Sequence, residues 1–145
     1  MPQFTPLAKV TEIIVHHSDS ARDTTTFEEI RQWHLEKGWI DIGYHGVILS
    51  DGSFHVGRPD NVMGAQALNH NFDSLGFCVT GNFEVETPTE AQIHTLIQVL
   101  AAKCKAHNVP AKAIKGHRDV DDTSCPGKNL YAMLPHIREE VAKYL

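Results

Sequence analysis

The run EIIVHHS, residues 12 to 18, limits the possible folds more than any other stretch of this chain. Its apolar residues are largely β-branched and are not interrupted by polar ones, which is typical of a strand buried on both faces. Such a strand needs neighbours on both edges and helices packed over the sheet. We therefore expect it to lie centrally in a sheet.

Two shorter helices are predicted, one in the first third of the chain and one at its end. The segment TFEEIRQWHLEKG, residues 26 to 38, opens with Thr26 and places Glu29 three residues later, which predicts a capping box and a helix. The sequence NLYAMLPHIREEVAKYL, residues 129 to 145, predicts a closing helix that is interrupted or restarted at Pro135.

The longest helix is predicted over residues 87 to 108, TPTEAQIHTLIQVLAAKCKAHN. Thr87 and Glu90 have capping-box spacing, and Pro88 would occupy the first helical position. Five apolar residues then recur at helical spacing, which predicts one buried stripe: Ile93, Leu96, Ile97, Leu100 and Cys104.

Further strands are predicted at three places. Residues 43 to 58, GYHGVILSDGSFHVGR, have two strand-like halves around Asp51 and Gly52, the strongest short hairpin signal. Short strands are also predicted over residues 75 to 81 and 113 to 117.

The stretch from residue 57 to residue 74 is rich in Gly, Asn and His, and it predicts a long surface loop of the kind that often carries function. Strands interleaved with helices indicate an α/β fold. We expect one domain, residues 1 to 145, with a central mixed β-sheet flanked by helices.

Composition excludes several classes of partner. The net charge is −5 and the 13 Lys and Arg form no basic block, which argues against a nucleic-acid partner. No apolar run approaches the roughly 20 residues of a membrane span. Three cysteines are too few for a disulfide framework, and the amino terminus shows no secretory signal. We expect a monomer that stays in the cytoplasm, where it is made, until a separate factor releases it.

The residues that carry chemistry lie at the ends of predicted strands. His117 would end one strand and Cys125 would follow it in the polar loop of GHRDVDDTSCPG, while His16 or His17 would end the first strand. Two imidazoles and a thiolate form a zinc ligand set that leaves a fourth position for water. Successive strand residues point to opposite faces, so only one of His16 and His17 can reach the same centre, and periodicity does not choose between them.

Six motifs in order resemble the zinc amidases of phage lysozyme type, which share a fold with animal peptidoglycan recognition proteins. They run from about residue 12 to residue 135 and read IIVHHS, EEIRQWHLEKGWIDIGYH, VILSDGSFHVGR, SLGFCVTGNF, TPTEAQ and GHRDVDDTSCPGKNLY. The resemblance implies a peptidoglycan amidase with a zinc cofactor.

Site residues follow from this resemblance. It implies that His16, His117 and Cys125 hold zinc, and that the phenol of Tyr44 orients the attacking water or stabilises the oxyanion.

Three further positions are implied at the same site. Thr123 stands two residues before the ligand cysteine, where phage enzymes carry a catalytic Lys and many recognition proteins a Thr. Gln66 stands where the family usually has a His that lines the substrate groove, and Asn71 aligns with a groove residue. We expect Thr123 to be catalytic and both amides to bind substrate.

Other prominent residues are interpreted as structural. His17 and His45 are expected to pack beside the site or support it. Cys78 is expected in the core, and Trp33 and Trp39 are expected to pack helix against sheet, although Trp39 could reach the edge of a groove.

The leading hypothesis is hydrolysis of the amide between N-acetylmuramic acid and L-alanine, by a phage or prophage endolysin. One alternative is a recognition module that binds peptidoglycan without cleaving it, although such modules typically lack the ligand cysteine. A second alternative is a cysteine hydrolase with Cys125 as nucleophile and His117 as base.

Overall fold

The computed structural model describes residues 3–145 and places a five-stranded sheet at the centre. The strands are β1 (Glu12–His17), β2 (Gly46–Ile48), β3 (Phe54–Val56), β4 (Ser74–Val79) and β5 (Ile114–Gly116). Their order across the sheet is β3-β2-β4-β1-β5. Four strands run parallel and β3 pairs antiparallel with β2, so the predicted mixed sheet is confirmed.

The first strand lies where its sequence predicts. Strand β1 pairs with β4 on one edge and β5 on the other, and all of its residues except Glu12 are buried. The hairpin of β2 and β3 is also confirmed, and Gly52 in its turn adopts φ 85°, a conformation that favours glycine.

Three helices cover the two faces of the sheet: α1 (Phe27–Glu36), α2 (Glu90–His107) and α3 (Lys128–Ala142). Helices α2 and α3 pack on one face, where Val15 and Phe77 of the sheet meet Leu100 and Leu134. On the other face, Ile30 of α1 packs in a smaller cluster that includes Val47 and Cys78. His16 points to this second face, because it alternates along β1 with Val15.

The predicted start of α2 is wrong by two residues. Thr89 caps the helix instead of Thr87, and Pro88 lies outside it. The sequence holds two overlapping capping boxes, and the second forms because Gln92 also donates from Nε2 to the backbone oxygen of Thr80. That bond ties the first turn of α2 to the end of β4.

Two other helix predictions are resolved by the structure. The capping box of Thr26 and Glu29 is present at α1. Helix α3 continues through Pro135 without the interruption expected there.

The loop between β3 and β4 contains no helix or strand longer than a single bridge within the described residues, as expected for a long surface loop. No helix of residues 3–145 has the length and apolarity that a bilayer span requires. The predicted extent of the domain, residues 1 to 145, stays a prediction, and Met1 and Pro2 lie outside the described residues.

Candidate metal centre

The site lies at the carboxyl ends of β1 and β5, the edge at which open α/β sheets commonly bind ligands. Val15 of β1 is in register with Gly116 of β5, so the residues that follow, His16 and His117, are neighbours. Their ring centroids are 4.5 Å apart. Parallel pairing therefore brings together two histidines that are far apart in the sequence.

Cys125 reaches the same point because the loop after β5 folds back on itself. The backbone N–H of Arg118 donates to the backbone oxygen of Cys125 at 2.8 Å, which closes the loop beside His117. Sγ of Cys125 then lies 3.6 Å from Nδ1 of His16. One potential ligand atom from each of His16, His117 and Cys125 lies within 4.8 Å of the other two.

Of the two adjacent histidines, His16 and His17, only His16 has its ring in the cluster. The side chain of His17 lies on the opposite face of β1, where its Nδ1 accepts a hydrogen bond from the backbone N–H of Phe83 at 3.1 Å. Its own backbone N–H points to the site and donates to Sγ of Cys125 at 3.4 Å. His45 is likewise used structurally, since its Nδ1 accepts from the backbone N–H of Gly76.

Burial keeps all three clustered side chains neutral in the protein alone. It lowers the pKa of His16 from 6.5 to about 3, helped by the nearby ring of His117. Burial also lowers the pKa of His117, against the opposing effect of Asp121. The pKa of the Cys125 thiol is raised to about 12, chiefly by burial.

The donor set fits a borderline-soft cation. Thiolate and imidazole ligands suit zinc, and a set of three leaves the fourth tetrahedral position open, as in catalytic sites. Nε2 of His117 is buried and has no hydrogen-bond partner among residues 3–145. Its nearest carboxylate oxygen, on Asp121, is 3.4 Å away but outside hydrogen-bond geometry. This unpaired nitrogen is consistent with a ring that is held for a ligand.

Tyr44 stands beside the cluster, between two imidazoles. Its ring centroid is 5.0 Å from that of His16 and 5.3 Å from that of His34. Burial, with the nearby thiols of Cys78 and Cys125, raises the pKa of the phenol well above 10. Tyr44 is therefore a neutral hydroxyl that can donate a hydrogen bond.

His34 was not singled out from the sequence, although it belongs to the motif EEIRQWH. Its Nδ1 accepts a hydrogen bond from the backbone N–H of Gly43 at 2.7 Å, which fixes the chain just before Tyr44. Burial and the positive charge of Lys37 lower its pKa to about 4, so the ring is neutral and its second nitrogen carries the proton.

These side chains line an open groove of about 330 Å³. Thr123 is on its wall, where its Oγ1 accepts from the backbone N–H of Cys125 at 3.2 Å. Lys37 also borders the groove, with Nζ 5.0 Å from the ring centre of Trp39. Thr123 supplies no positive charge to the groove, but Lys37 at the end of α1 does. No spacing in the sequence indicates that Lys37 reaches the site.

The two amides expected to contact substrate are both engaged within the protein. Gln66 borders the groove, and its Oε1 lies 2.5 Å from Nε2 of His16. Asn71 accepts hydrogen bonds through Oδ1 from the backbone N–H groups of Gln66 and Ala67, at 3.0 Å each. It borders the extension of the groove toward residue 68.

Trp33 and Trp39 are both expected to pack helix against sheet, and the structure places them differently. Trp33 has 39% of its surface exposed, so the expected packing of helix against sheet is wrong for this residue. The buried residues of α1 are Ile30 and His34 instead. Trp39 lines the groove and packs on His34, with ring centroids 4.6 Å apart. Cys78 and Cys104 are buried in the core, as expected.

A second cluster of metal-ligating residue types lies at the opposite end of β1. It contains Glu12, His70 and Asp73, none of which is fully buried. Glu12 already pairs with Nδ1 of His70 at 3.0 Å, and Asp73 accepts a hydrogen bond from Thr11. The first cluster, which combines burial, a groove and a cysteine thiol, is the better candidate for a catalytic metal.

The geometry has a counterpart in known proteins. Residues 6–128 match the sequence family described as N-acetylmuramoyl-L-alanine amidase. The chain belongs to this family. The resemblance stated from the six motifs is thereby confirmed, and the groove with its cluster of two histidines and a cysteine occupies the carboxyl edge of an amidase-family sheet.

Relatives of this amidase-family chain include phage and animal proteins. The endolysin of Enterobacteria phage T3 is 34% identical over 137 residues, covering 88% of this chain and 87% of the endolysin. The structure of the amidase LysC from Clostridium intestinale has a TM-score of 0.84 at 29% identity, covering 97% of this chain and 94% of LysC. A mutant of Drosophila PGRP-LB in complex with tracheal cytotoxin has a TM-score of 0.78 at 30% identity, covering 90% of this chain and 86% of PGRP-LB.

Proposed function

We propose that the protein is a zinc-dependent endolysin that hydrolyses the amide bond between N-acetylmuramic acid and L-alanine in bacterial peptidoglycan. The observation that carries this proposal is the convergence of His16, His117 and Cys125 in one groove of an amidase-family chain. Similarity to the phage T3 endolysin supports the endolysin assignment. The PGRP-LB complex contains tracheal cytotoxin, a monomeric diaminopimelic acid-type peptidoglycan, which supports a peptidoglycan fragment as ligand.

The three clustered residues would hold the metal. A zinc ion in this position supplies Lewis-acid polarisation of the scissile carbonyl and acidifies a water molecule. Cys125 must give up its thiol proton when it becomes a ligand, and the backbone N–H of His17 then stabilises the sulfur's negative charge. His16 and His117 are already neutral at pH 7 and lose no proton.

Tyr44 would stabilise the charge that develops on the carbonyl oxygen. Its phenol stays protonated because its pKa is raised well above 10, and the packing of His16 and His34 on its ring fixes its position. A hydrogen-bond donor fixed in advance contributes most when it faces an oxygen that gains charge only in the transition state.

Thr123 would act from the groove wall as a polar group near the reacting amide. Its Oγ1 accepts from the backbone N–H of Cys125, which leaves the hydroxyl hydrogen for the groove. Lys37 would supply a positive charge at the rim, where it can attract carboxylates of the stem peptide. Gln66 and Asn71 would border the glycan or peptide chain, Gln66 through its apolar stem, since its amide is engaged with the protein.

Cysteine hydrolase chemistry fits the site less well. A nucleophilic cysteine needs a lowered pKa, whereas burial raises the pKa of Cys125 to about 12. Its sulfur faces Nδ1 of His16 and the backbone of His17, so it occupies a ligand position among several donors. A recognition module without activity also fits less well, because the complete set of two histidines and a cysteine has no use in binding alone.

Metal removal and readdition tests the assignment. Protein treated with a strong chelator and then dialysed should lose its release of stem peptide from purified peptidoglycan, and stoichiometric zinc should restore it. A thiol-dependent hydrolase would keep its activity through this treatment. Survival of full activity in protein that contains no metal would contradict the proposal.

The place of action is part of the proposal. An endolysin accumulates inside the host and meets the wall only after a separate factor opens the membrane. Expression in a bacterial host should therefore leave cells intact until a permeabilising treatment is applied. Release of the protein from unbroken cells would point instead to a secreted enzyme.

A further inference from the structure

Gln66 borders the groove and has a hydrogen-bond partner at each end of its side-chain amide. Its side chain is 8% exposed and lies across β4, where a Cβ on Gly76 would overlap its amide. Its backbone N–H is fixed by Oδ1 of Asn71 at 3.0 Å. The side chain is therefore held in place by the loop below it and by the strand beside it.

The hydroxyl of Ser74 determines which atom donates in each hydrogen bond that links His70, Gln66 and His16. Ser74, which is fully buried, has Oγ 2.6 Å from the backbone oxygen of His70, so its single hydrogen is donated there. The same Oγ is 2.7 Å from the amide of Gln66 and must accept from it, which places the NH2 group of Gln66 toward Ser74.

The carbonyl oxygen of Gln66 consequently faces His16. Oε1 has no hydrogen to donate, so at 2.5 Å it requires a proton on Nε2 of His16. A neutral imidazole with its proton on Nε2 has a free lone pair on Nδ1. Nδ1 is the nitrogen that lies 3.6 Å from Sγ of Cys125, on the side of the proposed metal.

We propose that Gln66 is a positioning residue that acts through His16: the chain of bonds from the His70 carbonyl through Ser74 and Gln66 fixes the His16 tautomer that presents Nδ1 to the metal. This inference rests on the proposed zinc function, and it replaces direct substrate binding as the main role of the Gln66 amide. An amide has no protonation equilibrium near neutral pH, so the direction of the bond is independent of pH.

The test compares two buried glutamines. Gln66→Met keeps the length of the side chain but removes the oxygen that accepts from His16. Gln92→Met makes the same change at a fully buried glutamine in the first turn of α2, whose amide donates to the backbone oxygen of Thr80. Zinc affinity is measured by competition with a chelator of known affinity. The tautomer of His16 is read from ring nitrogen shifts of the metal-free, 15N-labelled chain.

We expect Gln66→Met to weaken zinc binding about 10–100-fold, the usual effect of losing the partner of a ligating histidine. Its His16 signals should shift toward a mixture of both tautomers. Gln92→Met should lower the melting temperature yet keep both the wild-type zinc affinity and the wild-type tautomer. Gln66→Asn provides a more conservative variant, because it retains the amide but withdraws the oxygen from His16, and it should also weaken zinc binding.

A folded Gln66→Met or Gln66→Asn protein with unchanged zinc affinity and unchanged His16 tautomer would overturn the inference. The tautomer measurement needs no metal, so it separates this inference from the proposed function. Wild-type protein that binds no zinc but shows the Nε2 proton on His16 would contradict the proposed function and leave the tautomer assignment standing.

Discussion

Sγ of Cys125 lies 3.6 Å from Nδ1 of His16, although 109 positions separate the two residues in the sequence. Both atoms are buried, and neither residue is charged in the protein alone. A metal cation that binds between this neutral thiol and the imidazole lone pair would displace the proton of the thiol.

Removal of the ligand thiol should abolish metal binding and catalysis together. Cys125→Ala should bind no zinc by elemental analysis and release no stem peptide. Cys104→Ala is the matched control, because Cys104 is also buried but lies in α2 away from the groove. Its loss should cost only about 1 kcal/mol of unfolding free energy. Loss of zinc from Cys104→Ala, with zinc retained by Cys125→Ala, would contradict the ligand assignment.

Zinc binding should strengthen with pH and release at least one proton at pH 7, that of the Cys125 thiol. The raised pKa of Cys125 favours the thiol, so zinc must displace that proton. The pKa values of His16 and His117 are lowered, so neither ring releases a proton above pH 7. Calorimetry in buffers of different ionisation enthalpy measures the number released. A value near zero would mean that the thiolate exists before the metal binds.

Tyr44→Phe should bind zinc normally and turn over slowly. The ring remains to pack between His16 and His34, so the metal ligands keep their positions. Loss of one donor to an oxyanion typically lowers kcat by about two to three orders of magnitude. Steady-state kinetics on a soluble muropeptide, with zinc content measured in parallel, checks this. Unchanged kcat would assign Tyr44 to packing.

Thr123→Lys should keep zinc and retain or increase activity, because it adds a cation beside the reacting amide. The cost is the hydrogen bond that Oγ1 accepts from the backbone N–H of Cys125. Thr123→Val isolates that cost, since it removes the hydroxyl at nearly the same volume and adds no charge. A collapse of activity in Thr123→Lys with zinc and fold intact would show that the hydroxyl itself takes part in catalysis.

The sequence predicts the sheet and its helices because their signals are local. The apolar run of β1, the capping box at Thr26 and the Asp51-Gly52 turn each act within a few residues, and all three are confirmed. The start of α2 is mispredicted because two capping boxes overlap, and the contact that selects Thr89 is a tertiary bond from Gln92 to the end of β4.

The contacts within the site are harder to predict from the sequence, because they also join residues that are far apart along the chain. Strand alternation shows that His16 and His17 face opposite ways but does not choose between them, and only the resemblance to the amidase family implies His16. In the structure the His16 ring lies in the cluster, whereas the His17 ring bonds the backbone of Phe83. The bond between Gln66 and His16 joins a loop to a strand 50 positions away, so no local spacing indicates it. Lys37 likewise reaches the groove only through the position of α1.

The product of peptidoglycan digestion tests the central proposal most directly. Purified peptidoglycan is incubated with zinc-loaded protein, and the soluble and insoluble fractions are assayed for new amino termini and for new reducing sugar ends. Cys125→Ala at the same concentration is the control. We predict new amino groups on L-alanine only, absent with Cys125→Ala. New reducing ends, or no product from protein that is folded and carries zinc, would contradict the assignment as an N-acetylmuramoyl-L-alanine amidase.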